Sequence, residues 1–224
     1  MPDKLVEKTI TYSLWVQIIT TLISLDGFRY DVTPENYILE EVLFIETFVQ
    51  FIEGFFYSYI IRGLDDIHSM TPRRYFDWMI TTPIMLFSTI IFFKYSEMKE
   101  KDELEPFTTK EFYDTNKDNI HKIVVYNALM LLFGYLGETD ILPKYYSITI
   151  GFVFFFLSFK IIYENYAVNS EISMILFKIL FVIWSLYGIA AMLPVREKNI
   201  CYNCLDIFSK NFYGLFIYYK ITQL

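Results

Sequence analysis

Histidine and cysteine are almost missing from this chain, with two of each in 224 residues. Cys201 and Cys204 stand at i, i+3 on one face of a helical run. With no further thiol nearby and so few histidines, they cannot complete a zinc tetrahedron, and a packing role is expected. A basic excess is missing too: 19 Lys and Arg face 26 Asp and Glu, a net charge of −7. Without a basic stripe or a glycine-rich phosphate loop, nucleic acid is excluded as a partner. The opening run "MPDKLVEKTITYSLWVQIITTLISL" lacks a small-residue cleavage site after its apolar part, so it reads as a retained first helix. Internal repeats are absent. The only biased segment is the Glu- and Lys-rich connection over 96–119, which reads as a solvated loop.

What the chain does have is apolar mass: 54% hydrophobic and 20% aromatic residues, with a mean hydropathy of +0.35. Charge is gathered into short clusters between long apolar runs, the composition of a multi-pass integral membrane protein with the lipid bilayer as its solvent. A bilayer core of about 30 Å asks for about 20 apolar residues per helix. Seven stretches approach that length: 9–25, 38–61, 74–95, 120–137, 145–163, 172–193 and 200–219. The connections are too short for a second domain, so residues 1–224 are expected to form one all-α, seven-transmembrane-helix bundle. Lys and Arg near the helix ends show only a small excess on the side of the 96–119 connection.

Ionisable residues inside such spans are costly and mark function by default. The second stretch carries Glu46 and Glu53, the third Arg74 and Asp77, the seventh Asp206 and Lys210. Lys160 and Lys178 lie nearer helix ends, where they can snorkel to the headgroups. Asp206 and Lys210, at i, i+4, share a face and can form a structural salt bridge. The alternative is chemical. A desolvated lysine amine condenses with an aldehyde to a Schiff base, and its positive charge in hydrocarbon demands carboxylate counter-ions.

The third stretch, "RRYFDWMITTPIMLFS", resembles the third helix of the microbial rhodopsins, with Arg74, Tyr75, Asp77, Trp78, Thr81, Thr82 and Pro83 in the order R-Y-x-D-W-x-x-T-T-P. The seventh, "LDIFSKNFYGL", is similar to their retinal-bearing segment L-D-x-x-x-K-x-x-x-G. The resemblance implies all-trans retinal bound to Lys210, Asp77 and Asp206 as counter-ions, and Arg74 on their extracellular side. It further implies a pocket in which Tyr75, Trp78, Thr82, Met130, Gly134, Trp184 and Tyr187 hold the polyene, with Asn127 as a polar neighbour. Gly188 and Ala191 stand where the family commonly has a proline and a second tryptophan, and are expected to leave room in the pocket.

In that family light isomerises the chromophore and its proton moves to a carboxylate, here Asp77 assisted by Thr81. Pumps keep a carboxylic acid eleven residues further on to return the proton. That position is Ser88, which weakens a pump. Glu46 and Glu53 are seven residues apart with Gln50 between them on one face, the material of a hydrated cation path. They can equally be protonated glutamates hydrogen-bonded across the bundle. Channelrhodopsins resemble the chain here, with glutamates at heptad spacing and an asparagine after the retinal lysine. That resemblance implies a constriction of Glu53, Asn211 and Ser13, although Ser13 can also bond back to its own helix. Rhodopsins of giant algal viruses show the same combination, which would place the chain in a host cell membrane.

Three functions follow: a light-gated channel for protons or small monovalent cations, an outward light-driven proton pump with Asp77 as acceptor, and a sensory photoreceptor. None is an enzyme in the ordinary sense. Asp77 argues against a chloride pump, since a carboxylate closes the site to an anion. The resemblance allows a homo-oligomer, trimers and pentamers both occurring among the relatives.

Overall fold

The computed structural model describes residues 3–62 and 66–224. Among these the chain is helical and contains no strand. The seven helices are α1 (Lys4–Asp26), α2 (Tyr37–Ile61), α3 (Met70–Glu100), α4 (Thr109–Glu138), α5 (Lys144–Asn165), α6 (Glu171–Ala190) and α7. α7 runs as Val195–Asp206, a π turn Ile207–Asn211, and Phe212–Thr222.

The helix ends follow ordinary capping chemistry. The Asp3 carboxylate accepts from the Leu5 and Val6 amides at 2.9 and 3.1 Å and starts α1. Thr108 and Glu111 make a reciprocal capping box at the head of α4. The Ser170 hydroxyl accepts from the Ser173 amide and caps α6. Pro143 and Pro194 immediately precede α5 and α7, where a missing N–H costs nothing.

The charged connection is shorter than the composition suggests. α3 continues to Glu100 and α4 begins at Thr109, so most of 96–119 is helix extended beyond the apolar stretch. Capping explains the start of α4, and Glu97 supports the end of α3 by pairing with Lys94 at 3.2 Å and Lys101 at 2.6 Å. α6 ends three residues before the expected 193, ahead of Pro194.

α1 packs on α2 and α7, α2 on α3, α3 on α4, α4 on α5, and α6 on α5 and α7, which closes the bundle. The four helices α3, α4, α5 and α6 are long and apolar enough to cross a membrane by length and composition alone. α2 loses apolar weight to the buried Glu46, Gln50 and Glu53, and α7 is interrupted by its π turn.

Candidate functional site

Lys210 lies within the π turn of α7, where the Phe212 amide donates to the Ile207 carbonyl. Its Nζ meets three carboxylates: Asp77 of α3 at 2.9 Å, Glu53 of α2 at 3.3 Å and Asp206 of its own helix at 3.9 Å. All four side chains are buried. The expected i, i+4 pairing with Asp206 is therefore the longest of the three contacts. The π turn changes the local register, so Lys210 points to α3 and α2 instead. Glu53, read from the sequence as part of an ion path, stands at the amine itself.

Asp206 belongs to a second network. It accepts from Arg74 at 3.1 Å, from the Tyr57 hydroxyl at 2.5 Å and from the Tyr187 hydroxyl at 2.6 Å. Arg74 also donates to the Tyr57 hydroxyl oxygen and to Asn203 Oδ1. A buried guanidinium is tolerable because its charge and donors are met in this way. Neither Tyr57 nor Asn203 was visible as a site residue in the sequence. Tyr57 could have been found by extending the α2 face one turn past Glu53.

On the other side of Lys210 a cavity, partly open to the outside, runs between α3, α4, α5 and α6. Its walls include Tyr75, Trp78, Thr82, Met130, Gly134, Trp184 and Tyr187, with Lys210 at its end. A Cβ at Gly134 would stand 2.6 Å from the Tyr75 hydroxyl, so only glycine fits there. A largely apolar slot ending at one amine fits a long polyene aldehyde. Asn127 supports the wall from behind, donating to Thr82 Oγ1 at 2.7 Å. The room expected at Gly188 is already taken: the Phe152 ring lies against it, 2.5 Å from where a Cβ would be. Ala191, at the other departure, does line the cavity.

The third feature is a polar column between α1, α2 and α7. Ser13, Gln17, Thr20, Ser24, Glu46, Gln50, Glu53 and Asn211 are all buried there. Gln17 Oε1, Ser24 Oγ, Glu46 Oε2, both Gln50 amide atoms and Asn211 Oδ1 have no hydrogen-bond partner among the described residues. Gly214 brings α7 so close that a Cβ would collide with the Gln50 side chain. The column reaches Ser88 of α3, whose hydroxyl contacts Glu46 Oε1.

Some expected pairings are absent. The Thr81 hydroxyl donates to the Asp77 backbone carbonyl oxygen at 3.0 Å, a bond within α3, and not to the Asp77 carboxylate. Ser13, Glu53 and Asn211 share the column but do not bond to one another. Gln17 Nε2 donates to Ser13 Oγ at 3.4 Å, and Asn211 Nδ2 donates to Thr20 Oγ1 at 2.9 Å. Cys201 packs partly buried and Cys204 is exposed, both free. Lys160 is exposed and pairs with Glu164 at 3.8 Å, and Lys178 is exposed.

The sequence pattern of bacteriorhodopsin-like proteins matches residues 8–224. No curated protein sequence matches the chain. Among solved structures, the viral rhodopsin OLPVRII superposes with a TM-score of 0.83 at 25% identity, covering 98% of this chain and 99% of that one. Halorhodopsin, described as a light-driven chloride pump, reaches 0.75 at 13% identity over 100% and 97% of the two chains. The light-driven proton pump LR (Mac) from Leptosphaeria maculans reaches 0.72 at 16% identity over 100% and 98%. With its seven helices and a match over nearly its whole length, the chain belongs to the bacteriorhodopsin-like family of integral membrane proteins, which bind retinal through a lysine Schiff base.

Proposed function

We propose that the protein is a light-gated cation channel whose chromophore, all-trans retinal, is held by Lys210. When bound, retinal supplies a light-driven change of shape and a positively charged nitrogen at the end of the Lys210 side chain. The chain's own residues do the rest. Asp77, nearest that nitrogen, balances its charge and takes its proton. Asp206, fixed by Arg74, Tyr57 and Tyr187, serves as the second counter-ion. Tyr75, Trp78, Thr82, Met130, Gly134, Trp184 and Tyr187 confine the polyene, so its motion is transmitted to α6 and α7.

The observation that carries the channel reading is the column between α1, α2 and α7. Buried polar atoms are normally paired, and a run of unpaired ones along a single seam is the lining of a hydrated path. Glu46 and Glu53 make that lining selective for cations, and Glu53 stands where a change of charge at Lys210 is felt directly. The test is whole-cell current under light across a range of voltages, with external pH and sodium varied. A current that reverses at the equilibrium potential of one cation, and follows it, supports the channel.

A proton pump is the second reading, favoured by the 2.9 Å contact between Lys210 and Asp77, which gives an efficient acceptor. It predicts outward current at every accessible voltage without a gradient. A viral source would place the protein in a host cell membrane.

A further inference from the structure

The cavity that ends at Lys210 continues past the residues expected to hold a polyene. Gly137, Glu138, Lys144, Ser147 and Ile148 line it as well. Glu138 lies one turn beyond Gly134 on α4, and Lys144 lies two turns before Gly151 on α5. They extend the wall by about 6 Å along α4 and about 10 Å along α5, toward the head of α7, where Lys198 meets Glu138. Ala191 adds only a methyl group to that wall. The slot has an amine at one end and a cluster of polar side chains at the other.

Three side chains of that cluster hold hydrogen-bonding capacity that the protein leaves unused. Tyr75 is only 7% exposed, yet its hydroxyl makes no hydrogen bond with the described residues. Glu138, its side chain 8% exposed, gives Oε1 to the buried ammonium of Lys198, while its Oε2 accepts no hydrogen bond from the described residues. Lys144 is half-buried, adjoins Lys198, and has no carboxylate within 4 Å among the described residues. Two ammonium groups therefore share one carboxylate. Polar groups withdrawn from water are normally paired, and leaving them unmet is costly.

The chemistry of the cluster selects its ligand. A hydroxyl both donates and accepts, so one placed there can give its hydrogen to Glu138 and receive one from Tyr75 or Lys144. A hydrocarbon ring meets none of these groups, and a carboxylate would meet Lys144 but face Glu138. The hydroxyl must also lie on the long axis of the molecule. On the ring carbon opposite the one that carries the polyene chain, it points away from the aldehyde and therefore away from Lys210.

We propose that Tyr75, Glu138 and Lys144 form a subsite for a hydroxyl group on the chromophore ring, so that the chain selects a ring-hydroxylated retinal over retinal itself. The inference rests on the reading that Lys210 condenses with a polyene aldehyde. That condensation, in which the amine and the aldehyde join with loss of one water, is the same for both aldehydes. A preference between them reports the far end of the cavity alone.

Competition for the ligand-free protein tests it. The protein in lipid nanodiscs is incubated to equilibrium with equal amounts of all-trans-retinal and all-trans-3-hydroxyretinal, each in excess over protein. Unbound aldehyde is then removed, and the bound chromophore is released with hydroxylamine, separated and quantified. The hydroxylated aldehyde is expected to be bound in roughly fivefold excess. Tyr75→Phe, which removes only an oxygen, and Lys144→Met, which removes a half-buried charge, should each bring the two aldehydes closer to equal uptake. Equal uptake by the unaltered protein, or an excess of plain retinal, overturns the proposal, as does an excess that both variants leave unchanged. If neither aldehyde gives visible absorption, the assignment of Lys210 fails instead, and the subsite falls with it.

Discussion

The two halves of the bundle that meet at Lys210 are built on opposite principles. On the α5 and α6 side, Phe155, Phe159, Phe177, Phe181 and Trp184 stack edge to face and ring to ring, with Phe155 and Phe159 only 4.4 Å apart. This is a dense apolar wall that resists deformation. On the α1, α2 and α7 side, the same depth is lined by amides, hydroxyls and carboxyls, many without partners. Unpartnered polar atoms are gathered there, so it is the side that can admit water. A rigid wall against one face of the chromophore and a polar seam against the other would convert a change of shape into a change of permeability.

The largest effect should come from removing the residue where the halves meet. Lys210→Ala is expected to abolish visible absorption after retinal is added, and a normal absorption maximum in that variant would refute the attachment. Next is the counter-ion on the α3 side of the seam. Asp77→Asn should shift absorption to the red, because a carboxylate near the nitrogen stabilises the positive ground state by on the order of 4 kcal/mol at partly screened distances. An unshifted spectrum would assign that role to Glu53 or Asp206, both also within 4 Å of the amine.

Glu53→Gln separates the halves. If the polar seam conducts, the variant should alter conductance or cation selectivity several-fold while retinal still binds. Unchanged photocurrents together with a changed colour would make Glu53 a counter-ion alone and move the path away from α2.

These residues also show what was legible in the sequence. The motifs of α3 and α7 were readable because function there needs particular residue types at fixed spacings, and the heptad of Glu46 and Glu53 shows directly in the α2 face. The π turn was not readable, since Ile207 to Asn211 carries no breaker and its register is set by packing. For that reason the closeness of Glu53 to the amine was not foreseen, and the i, i+4 spacing suggested a nearer Asp206 than the structure shows. Phe152 against Gly188 is a contact between helices distant in sequence, and no periodicity announces it. The 96–119 segment was misjudged because its charges were weighed as solvation, whereas Glu111 completes the capping box with Thr108 and Glu97 pairs with Lys101 at i, i+4.

The smallest expected effect concerns how the polar side is held at its edge. Asp3, ahead of α1, pairs with Arg196 at the head of α7 at 2.6 Å while capping its own helix. The Arg196 guanidinium, then the Val6 amide, hold its carboxyl below the usual range. A depressed folded-state value means the contribution is complete above the unfolded carboxylate value of about 3.9 and is lost as pH falls through the lower one. Asp3→Asn keeps a good cap but removes the charge. Its melting temperature should therefore lie slightly below that of the unaltered protein at pH 7, with the gap narrowing as pH falls through the acidic range. The pair is exposed to solvent, so the difference should shrink in high salt. A salt-insensitive difference of several degrees would mean that α1 and α7 are joined mainly at this end, with the polar seam between them contributing almost nothing to their association.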